Sequence, residues 1–434
     1  MRITVIGGAG RVGLVTSLAL AELGHHVTSS DIDATGVGLL QHGCLPFHEA
    51  GLGELLSRHL EARRLVFSLG TIPCLQETQA IFVCVGTPAS SSGAPEMSHF
   101  WRALDPLIPG LPPGAALVLK STVPVGTNAE LNRRCVSTAG LQAPHVLSCP
   151  EFLQEGAGLQ GFLNPSRIVA GVRDKAGLQV LQEALAGIRA PWVVTTPENA
   201  EAIKYASNAL LAARVSLVNE LANLCETLGA DILEVMRGAG LDPRIGQAYL
   251  EAGAGYGGPC LEKDLWAIIY QAQSHGCETP LLKEVQRVNA RQRELVVRKV
   301  QGCLGRVSGS VLGILGLAFK PGTDDTRGSP SVAVATLLSS AGAEVRGYDP
   351  VASVFPVAAV KRYDDPYSMA EGADALILMT SWPSFRHLDF PRLRSVMKRP
   401  VLVDGRNCLA GLPLEGFQYV GIGRNPVGTP RVRD

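Results

Sequence analysis

Short apolar runs separated by longer amphipathic stretches occupy residues 1–195. That rhythm predicts strands buried on both faces of a parallel sheet, with helices covering them. The runs fall at 2–7, 25–30, 80–88, 116–127, 145–156, 167–172 and 192–196. Residues 36–62 read as helices over the sheet edge, and Ser90–Pro95 (SSSGAP) as a flexible loop and candidate lid over a cofactor. At Thr196 the pattern changes. Thr196-Pro197-Glu198 supplies a capping hydroxyl, a proline for the first turn and an acid at the positive dipole end. No glycine or proline follows until Gly229. This predicts a helix of about 32 residues, roughly 48 Å long. Its apolar positions Ile203, Leu210, Leu211, Val215, Val218, Leu221, Leu224, Cys225 and Leu228 form a stripe longer than one small core covers. The expectation is a homodimer built on it. Helical stretches at 231–240 and 264–300 follow. From 311 the α/β pattern restarts, with strands at 311–316, 343–350, 373–382 and 400–407 and a helix at 331–341; residues 423–434 read as a frayed tail. The predicted fold class is α/β: two Rossmann-like doubly wound domains joined by a long central helix and a helical dimerisation domain. The expected divisions are 1–195, 196–296 and 297–434.

Composition narrows the class. Of 434 residues, 46% are apolar and 18% charged, which suits large buried cores. Zero net charge argues against a nucleic-acid or polybasic membrane partner. No apolar run has the length of a membrane span. The ten cysteines stand singly without a CxxC, as reduced thiols of a cytoplasm do. The nine histidines form no HxxxH, so no metal site is expected. The chain opens directly on a strand, without a leader, and a cytoplasmic location is expected.

Candidate chemistry starts at Gly8-Ala9-Gly10-Arg11-Val12-Gly13, a GxGxxG between the first strand and a helix that stops at Gly24. A second strand ends at Asp31. The glycines permit a tight turn and close approach of a pyrophosphate to the helix N-terminus, and the acid binds a ribose diol. An acid there favours NAD over NADP. Because the turn is GGAG, the division of labour among its glycines stays open. Later strand ends carry Thr87, Ser121, Thr122, Glu151 and Glu155; each alone suits a cap or solvated loop, and together they suit one rim of a cleft.

Residues 253–264, GAGYGGPCLEKD, place four glycines in six positions before Cys260, Lys263 and Asp264. Either Cys260 is a nucleophile on an exposed loop or it is a small cysteine beside an ordinary turn; these residues alone leave both open. Lys204 and Asn208 are four apart and share a helix face, directed to solvent or into the same cleft. In the last domain, Gly313-x-x-Gly316 lacks dinucleotide spacing. Lys320, Asp324, Asp325 and Arg327 suit a mononucleotide or its diphosphate.

Taken together, GRVGL, DID, VGTP, KSTVPVGT, PEFLQEG, RIVAG, ENAEAIKYASNALLAARVSLVNE, DPRIG, GYGGPCLEKD, GLAFKPGTDDTRGSP, YDP and DGRN resemble the UDP-glucose/GDP-mannose dehydrogenase family over nearly the whole chain. The resemblance implies a four-electron oxidation of a sugar C6 alcohol to a carboxylate, using two NAD and water. It implies Cys260 as the nucleophile that holds the aldehyde as a thiohemiacetal and then a thioester. Lys204 and Asn208 would stabilise the oxyanion, and Asp264 would orient a water or act as base with Lys204. Thr122, Glu151 and Glu155 would line the cleft, with Glu151 favoured for thioester hydrolysis. Gly8, Gly10, Arg11, Val12, Gly13, Asp31, Thr87, Thr122, Glu155, Lys263 and Arg327 would serve NAD. Glu151, Phe152, Leu153, Lys204, Asn208, Arg244, Tyr249, Gly257, Cys260, Phe319 and Lys320, again with Arg327, would hold the nucleotide sugar. The cleft would close over the sugar where the nucleotide and cofactor domains meet. Departures from the family pattern are Pro259, Leu261 and Glu262 around the cysteine, Gly36 for a lysine, and Arg11 for a tyrosine. UDP-glucose is the leading substrate, with UDP-N-acetylmannosamine, UDP-N-acetylglucosamine and GDP-mannose as alternatives. From other classes, a two-electron 3-hydroxyacid-type dehydrogenase shares the Lys/Asn pair but needs neither the cysteine nor a second α/β domain. A non-catalytic nucleotide-sugar binding protein would not need Cys260, Lys204 and Asp264 together.

Overall fold

A computed structural model of the chain describes residues 1–70, 75–90 and 92–424. Ser91 of the candidate lid and residues 425–434 of the expected tail lie outside the described residues. The chain forms two compact units, Met1–Ser207 with Trp266–Cys277, and Asn208–Leu265 with the residues from Glu278 onward.

The first unit runs β1 (Arg2–Ile6), α1 (Arg11–Glu22), β2 (His26–Asp31), α2 (Ala34–Gln41), α3 (Leu52–Glu61), β3 (Leu65–Leu69), β4 (Ala80–Val83), α4 (Ser98–Leu104), β5 (Ala116–Leu119), α5 (Thr127–Ala139), β6 (His145–Ser148), α6 (Gly158–Leu163), β7 (Ile168–Gly171), α7 (Lys175–Ala184) and β8 (Trp192–Thr195). The sheet order is β3-β2-β1-β4-β5-β6-β7-β8. The chain leaves β1 for β2 on one side and resumes on the other at β4, so β1 and β4 flank a topological switch point. Strands β4, β5 and β6 are fully parallel to β1 through their registers. Their carboxyl ends therefore share one rim, and these are the ends that carry Thr87, Thr122 and Glu151. One sheet face packs Leu14, Leu18, Leu56 and Leu181. The other packs Phe100, Leu104, Leu131 and Cys135.

The structure corrects several sequence boundaries. The expected strands 80–88, 116–127 and 145–156 stop at Val83, Leu119 and Ser148. Beyond them the backbone leaves the ladder: Lys120 and Ser121 both donate their N–H to the Val83 carbonyl, at 3.0 and 2.9 Å. The helical stretch 36–62 is broken between α2 and α3. Strand β3 was not separable from its surroundings, being a half-exposed edge strand. Strand β7 joins β6 antiparallel through the single pair Ser148 and Gly171, so the sheet is not wholly parallel.

Helix α8 (Pro197–Leu228) has 32 residues, as its uninterrupted sequence predicts. It is followed by α9 (Ile232–Ala239), α10 (Leu261–Ser274) and α11 (Pro280–Leu304). In the second unit come β9 (Val311–Leu315), α12 (Pro330–Ser340), β10 (Glu344–Tyr348), β11 (Lys361–Tyr363), α13 (Pro366–Ala370), β12 (Ala375–Leu378), α14 (Phe390–Val396), β13 (Val401–Asp404) and β14 (Gln418–Val420). The order β11-β10-β9-β12-β13-β14 repeats the doubly wound plan, every pair parallel. Its switch point lies between β9 and β12, so the Gly316–Lys320 turn stands at the ligand crevice. Among the described residues no helix is long and apolar enough to cross a membrane.

Asp349, just past β10, organises that crevice. One carboxylate oxygen accepts the N–H of Leu317 and Ala318 and the Trp382 indole at 2.8, 3.0 and 3.1 Å. The other accepts Val351 and Ala352 at 2.9 Å each. Asp349→Asn would turn one acceptor into a donor facing buried donors. A stability loss of about 2–3 kcal/mol in this unit is expected, measurable by urea denaturation.

Candidate active site

The glycine turn divides its work among its residues. Gly7 takes φ +83°, and the N–H groups of Gly7 and Gly8 both bond the Ser30 carbonyl. A Cβ on Gly8 would lie 1.8 Å from Ser29 Oγ, and one on Gly13 would lie 2.0 Å from the Gly7 carbonyl oxygen. Gly8 thus lets the turn meet β2, and Gly13 lets α1 meet the turn. Gly10 is the N-cap of α1, and a Cβ there would touch only the Gly7 oxygen at 3.4 Å. Its open side faces away from the protein, where a pyrophosphate would approach the helix N-terminus. Asp31 is half-buried and fixed by the N–H groups of Ala9 (2.9 Å), Ile32 (2.7 Å) and Asp33 (3.1 Å). A Cβ on Gly36 would sit 2.6 Å from an Asp33 oxygen, so a lysine has no room there without a shift. Arg11, the first residue of α1, stacks on Phe47 at 4.5 Å and reaches Glu155 at 3.9 Å. Thr87 Oγ1 donates to the Thr122 carbonyl at 2.6 Å, tying two candidate cofactor residues together. A cradle that a Cβ would fill, a helix start with no side-chain cap and a fixed acid fit a dinucleotide.

At the end of β6, Glu151 is buried and accepts from Lys204 Nζ at 2.9 Å. Lys204, from α8, is 4% exposed, so the solvent-facing reading of this residue is set aside. Burial alone would raise the Glu151 carboxyl. The Lys204 ammonium and its hydrogen bond outweigh burial, with help from the Leu153 N–H and Lys120, and hold the group below the usual carboxylate range. A cavity of about 320 Å³ adjoins, lined by Lys120, Glu151, Phe152, Leu153, Asn164 and Arg167. Phe152 is covered by the Arg167 guanidinium at 3.9 Å.

In the second unit, Asn208 Nδ2 donates to Asp264 at 2.5 Å and Lys263 Nζ to its other oxygen at 2.6 Å. Asn208 and Asp264 are buried, and Cys260 is exposed. The Cys260 carbonyl accepts the Asp264 N–H at 2.9 Å, so Cys260 opens α10 and its thiol stands at the helix N-terminus. That position favours a thiolate. The glycine loop before it is held rigidly. Gly253 N–H donates to Asn219, Tyr256 N–H to Asn289, and Ala254 N–H to the Gly405 carbonyl, at 2.7–2.8 Å. Arg406 clamps the Gly255 carbonyl at 2.8 Å. A Cβ on Gly257 would meet the Gly328 oxygen at 2.6 Å, and one on Gly258, at φ +86°, the Phe319 ring at 2.7 Å. The glycines are there for close packing against the 319–330 turn as well as for turning. Phe319 and Lys320 are half-buried, with Lys320 Nζ 5.7 Å from the Phe319 ring. Arg327 pairs with Asp325. Arg244 is exposed and pairs with Asp242, and Tyr249 takes φ +61°.

Family models match this chain in three consecutive pieces. They are the NAD binding domain over residues 1–188, the central domain over 198–291 and the UDP binding domain over 313–411, all of the UDP-glucose/GDP-mannose dehydrogenase family. The chain belongs to that family.

The dehydrogenase is 40% identical to the UDP-glucose 6-dehydrogenase of Rhizobium meliloti (strain 1021), over 98% of this chain and all of that one. Among solved structures it is similar to a UDP-glucose dehydrogenase from Pyrobaculum islandicum, at 36% identity, TM-score 0.90 and 98% coverage of both chains. It is also similar to UDP-D-ManNAc dehydrogenase from Pyrococcus horikoshii, at 26% identity, TM-score 0.88 and coverage of 98% and 99%. It is an NAD-dependent nucleotide-sugar dehydrogenase.

Burial sorts its thiols. It pushes Cys84 and Cys408 up to about 12 and Cys135 to about 11, and raises Cys149. Those thiols stay protonated near neutral pH, whereas Cys260 is exposed on a helix start. Sequence reasoning gave no role to Lys120, a buried lysine over the Phe162 ring, or to Arg167 and Arg406. The signal for Lys120 was present: a lysine closing an apolar strand run must place its charge against something.

Lys204→Met would leave Glu151 buried without its cation. The wild-type pair adds stability above the carboxyl's unfolded value of 4.5, and this is lost as pH falls through its lower folded value. In the variant burial dominates and raises Glu151. A cost of about 3–5 kcal/mol is expected at pH 8, shrinking as acid neutralises the carboxyl. Thermal denaturation across pH 5–8 tests this, with activity lost throughout.

Proposed function

We propose that this dehydrogenase oxidises UDP-glucose to UDP-glucuronate in two steps, with Cys260 holding the carbon between them. The observation that carries the reading is the exposed Cys260 thiol at the start of α10, one helical turn from an Asp264 already oriented by Asn208 and Lys263. Bound NAD would accept a hydride twice, from the C6 alcohol and, as a fresh molecule, from the thiohemiacetal; each time the hydroxyl proton passes to the water held by Asp264 and Lys204. The Cys260 thiolate adds to the C6 aldehyde, forming the C–S bond. Loss of the second hydride leaves a thioester. Water, with Asp264 as the orienting or basic group, displaces the thiol and gives the carboxylate. Lys204 and Asn208, one turn apart on α8, stabilise the oxyanion of each addition. Glu151, kept ionised by Lys204, is suited to take a proton during thioester hydrolysis. Thr122 and Glu155 line this site. Phe152, Leu153, Arg244, Tyr249, Gly257, Phe319, Lys320 and Arg327 hold the nucleotide sugar, and Lys263 and Arg327 approach the cofactor. UDP-glucose is favoured over UDP-N-acetylmannosamine because identity is 40% to a UDP-glucose enzyme and 26% to a UDP-D-ManNAc enzyme.

We also infer three functional domains, 1–195, 196–296 and 297–434, a cytoplasmic location for which the singly placed cysteines speak, and a homodimer on α8. Leu210, Leu217 and Leu224 recur every seven residues with Leu228 beyond them, and all four are more than half exposed. An apolar row at that spacing suits a second helix.

Purified protein with excess NAD is expected to form two NADH per UDP-glucose consumed, with UDP-glucuronate as product. One NADH per sugar would remove the role given to Cys260, and none would move the search to the other nucleotide sugars. Cys260→Ala is expected to lower turnover on the order of 10³-fold or more. Leu217→Arg with Leu224→Arg is expected to shift the sedimentation coefficient from dimer to monomer; an unchanged dimer would place the interface elsewhere.

A further inference from the structure

The turn between β5 and α5, residues 120–126, carries Thr122, and past Ser121 it is held to other elements at three points. The Thr122 carbonyl accepts from Thr87 Oγ1 at 2.6 Å. The Val125 N–H and carbonyl exchange bonds with the Gln271 side-chain amide, at 3.2 and 2.7 Å. The third anchor is Glu201. One of its oxygens accepts the Gly126 N–H at 2.7 Å and the other the Asn128 N–H at 2.8 Å. Gly126 is the N-cap of α5 at φ +101°, and has no side chain with which to cap the helix. The opening N–H groups of α5 are therefore satisfied by a carboxylate from α8. Glu201 is 4% exposed and stands three residues before Lys204, on the same helix face. Glu201, Lys204, Ser121, Thr122 and Ser148 line one small cavity.

We infer that Glu201 is a positioning residue: its ionised carboxylate fixes the turn that presents Thr122, and so sets the cofactor side of the site. This rests on the role proposed above for Thr122. The charges facing Glu201 are few. Glu198, on its own helix, pushes its pKa up; Arg173, which follows β7 and binds Asn128 and Glu198 at 3.1 Å, opposes this. Lys204 is paired with Glu151. Burial outweighs the Gly126 and Asn128 N–H bonds and raises Glu201 to about 7. The sign is informative. An acid raised from 4.5 on folding adds stability only while protonated, and withdraws it as pH climbs to about 7. The ionised form, the one able to accept both N–H bonds, is thus kept against a cost in stability, as expected of a group retained for its effect on the site. Below pH 7 one carboxyl oxygen carries a proton toward its N–H donor, only the other still accepts freely, and the turn loosens. The Gln271 bonds carry no titrating group and persist.

Amide exchange read at Gly126 and Asn128 between pH 8 and pH 6 tests this without reference to activity. Protection, corrected for intrinsic rates, is expected to fall about tenfold in the wild type on acidification. In Glu201→Gln it is expected to be low at both pH values. Glu201→Asp, which keeps the charge but shortens the reach, should retain the pH dependence at lower protection. In turnover, the wild type is expected to lose kcat/KM for NAD through a one-proton limb near pH 7, and Glu201→Gln to lack that limb. Equal protection at pH 8 and 6 in the wild type, or a limb that survives in Glu201→Gln, overturns the assignment. If UDP-glucose yields no NADH at all, the proposed substrate fails while the exchange measurement still decides the role of Glu201.

Discussion

Putting charge inside the first unit is the constraint from which much of its site follows. Parallel strands β4, β5 and β6 end on one rim, and that rim is roofed by loops and by α8. Glu151 is therefore buried, and a buried carboxylate alone would be protonated or excluded. Lys204 makes it possible, and Glu151 in turn makes a buried Lys204 possible. Such a pair is weak evidence for net stability, because desolvating both ions offsets most of their attraction. What it provides is a fixed pair of opposite charges facing the cleft rim, which reaction chemistry needs and stability does not. Glu201, one turn earlier on α8, shows the other solution. It has two N–H donors instead of a cation, and burial wins: one carboxyl is held below its ordinary range and the other is raised to about 7.

Glycine does a parallel job on the backbone. Gly13 allows α1 to touch the turn of β1, and Gly257 and Gly258 allow the cysteine loop to touch the 319–330 turn. In each case the atom met by an added Cβ is backbone or an aromatic ring, which cannot yield as a flexible side chain does. The loop before Cys260 is therefore dense in glycine yet closely packed, with Gly253–Tyr256 buried. Gly257 and Pro259 are partly exposed, and Cys260 at the helix start is exposed.

These two facts explain what could be read in advance. The 32-residue α8 followed from an uninterrupted run between Pro197 and Gly229, and the doubly wound sheets from the spacing of apolar runs. Cys260, Lys204, Asn208 and Asp264 stood out as candidates because the motifs that carry them are long. The partners were not. That Lys204 faces Glu151 and Asn208 faces Asp264 is set by pairings 53 and 56 residues apart in sequence, which local patterns do not encode. Lys120 and Glu201 were missed for the same reason: each is one polar residue at the edge of an apolar pattern, and its meaning lies in what burial places against it. Strand ends were read too long because Cys84, Val85, Val123 and Val125 carry the apolar pattern past the last ladder pairs, although residues 121–123 line a small cavity instead of pairing.

The two sheets also carry the same sequence signal with different physical outcomes. Each has an aspartate at the end of the strand beside its first, Asp31 after β1 and β2, Asp349 after β9 and β10. Asp31 receives three N–H bonds and remains half-buried, which leaves about one accepting site, on the open side, for a ribose hydroxyl. Asp349 is 2% exposed and receives four N–H bonds and an indole, which consumes its accepting capacity. A carboxylate has about four lone-pair sites, so Asp349 has none left for a ligand. In the second doubly wound domain the aspartate at that position thus serves as a brace for the Gly316–Lys320 turn. The proposed ligand contacts there are Phe319, Lys320 and Arg327, an aromatic face and two cations. Such a set suits a base and a diphosphate better than a second dinucleotide.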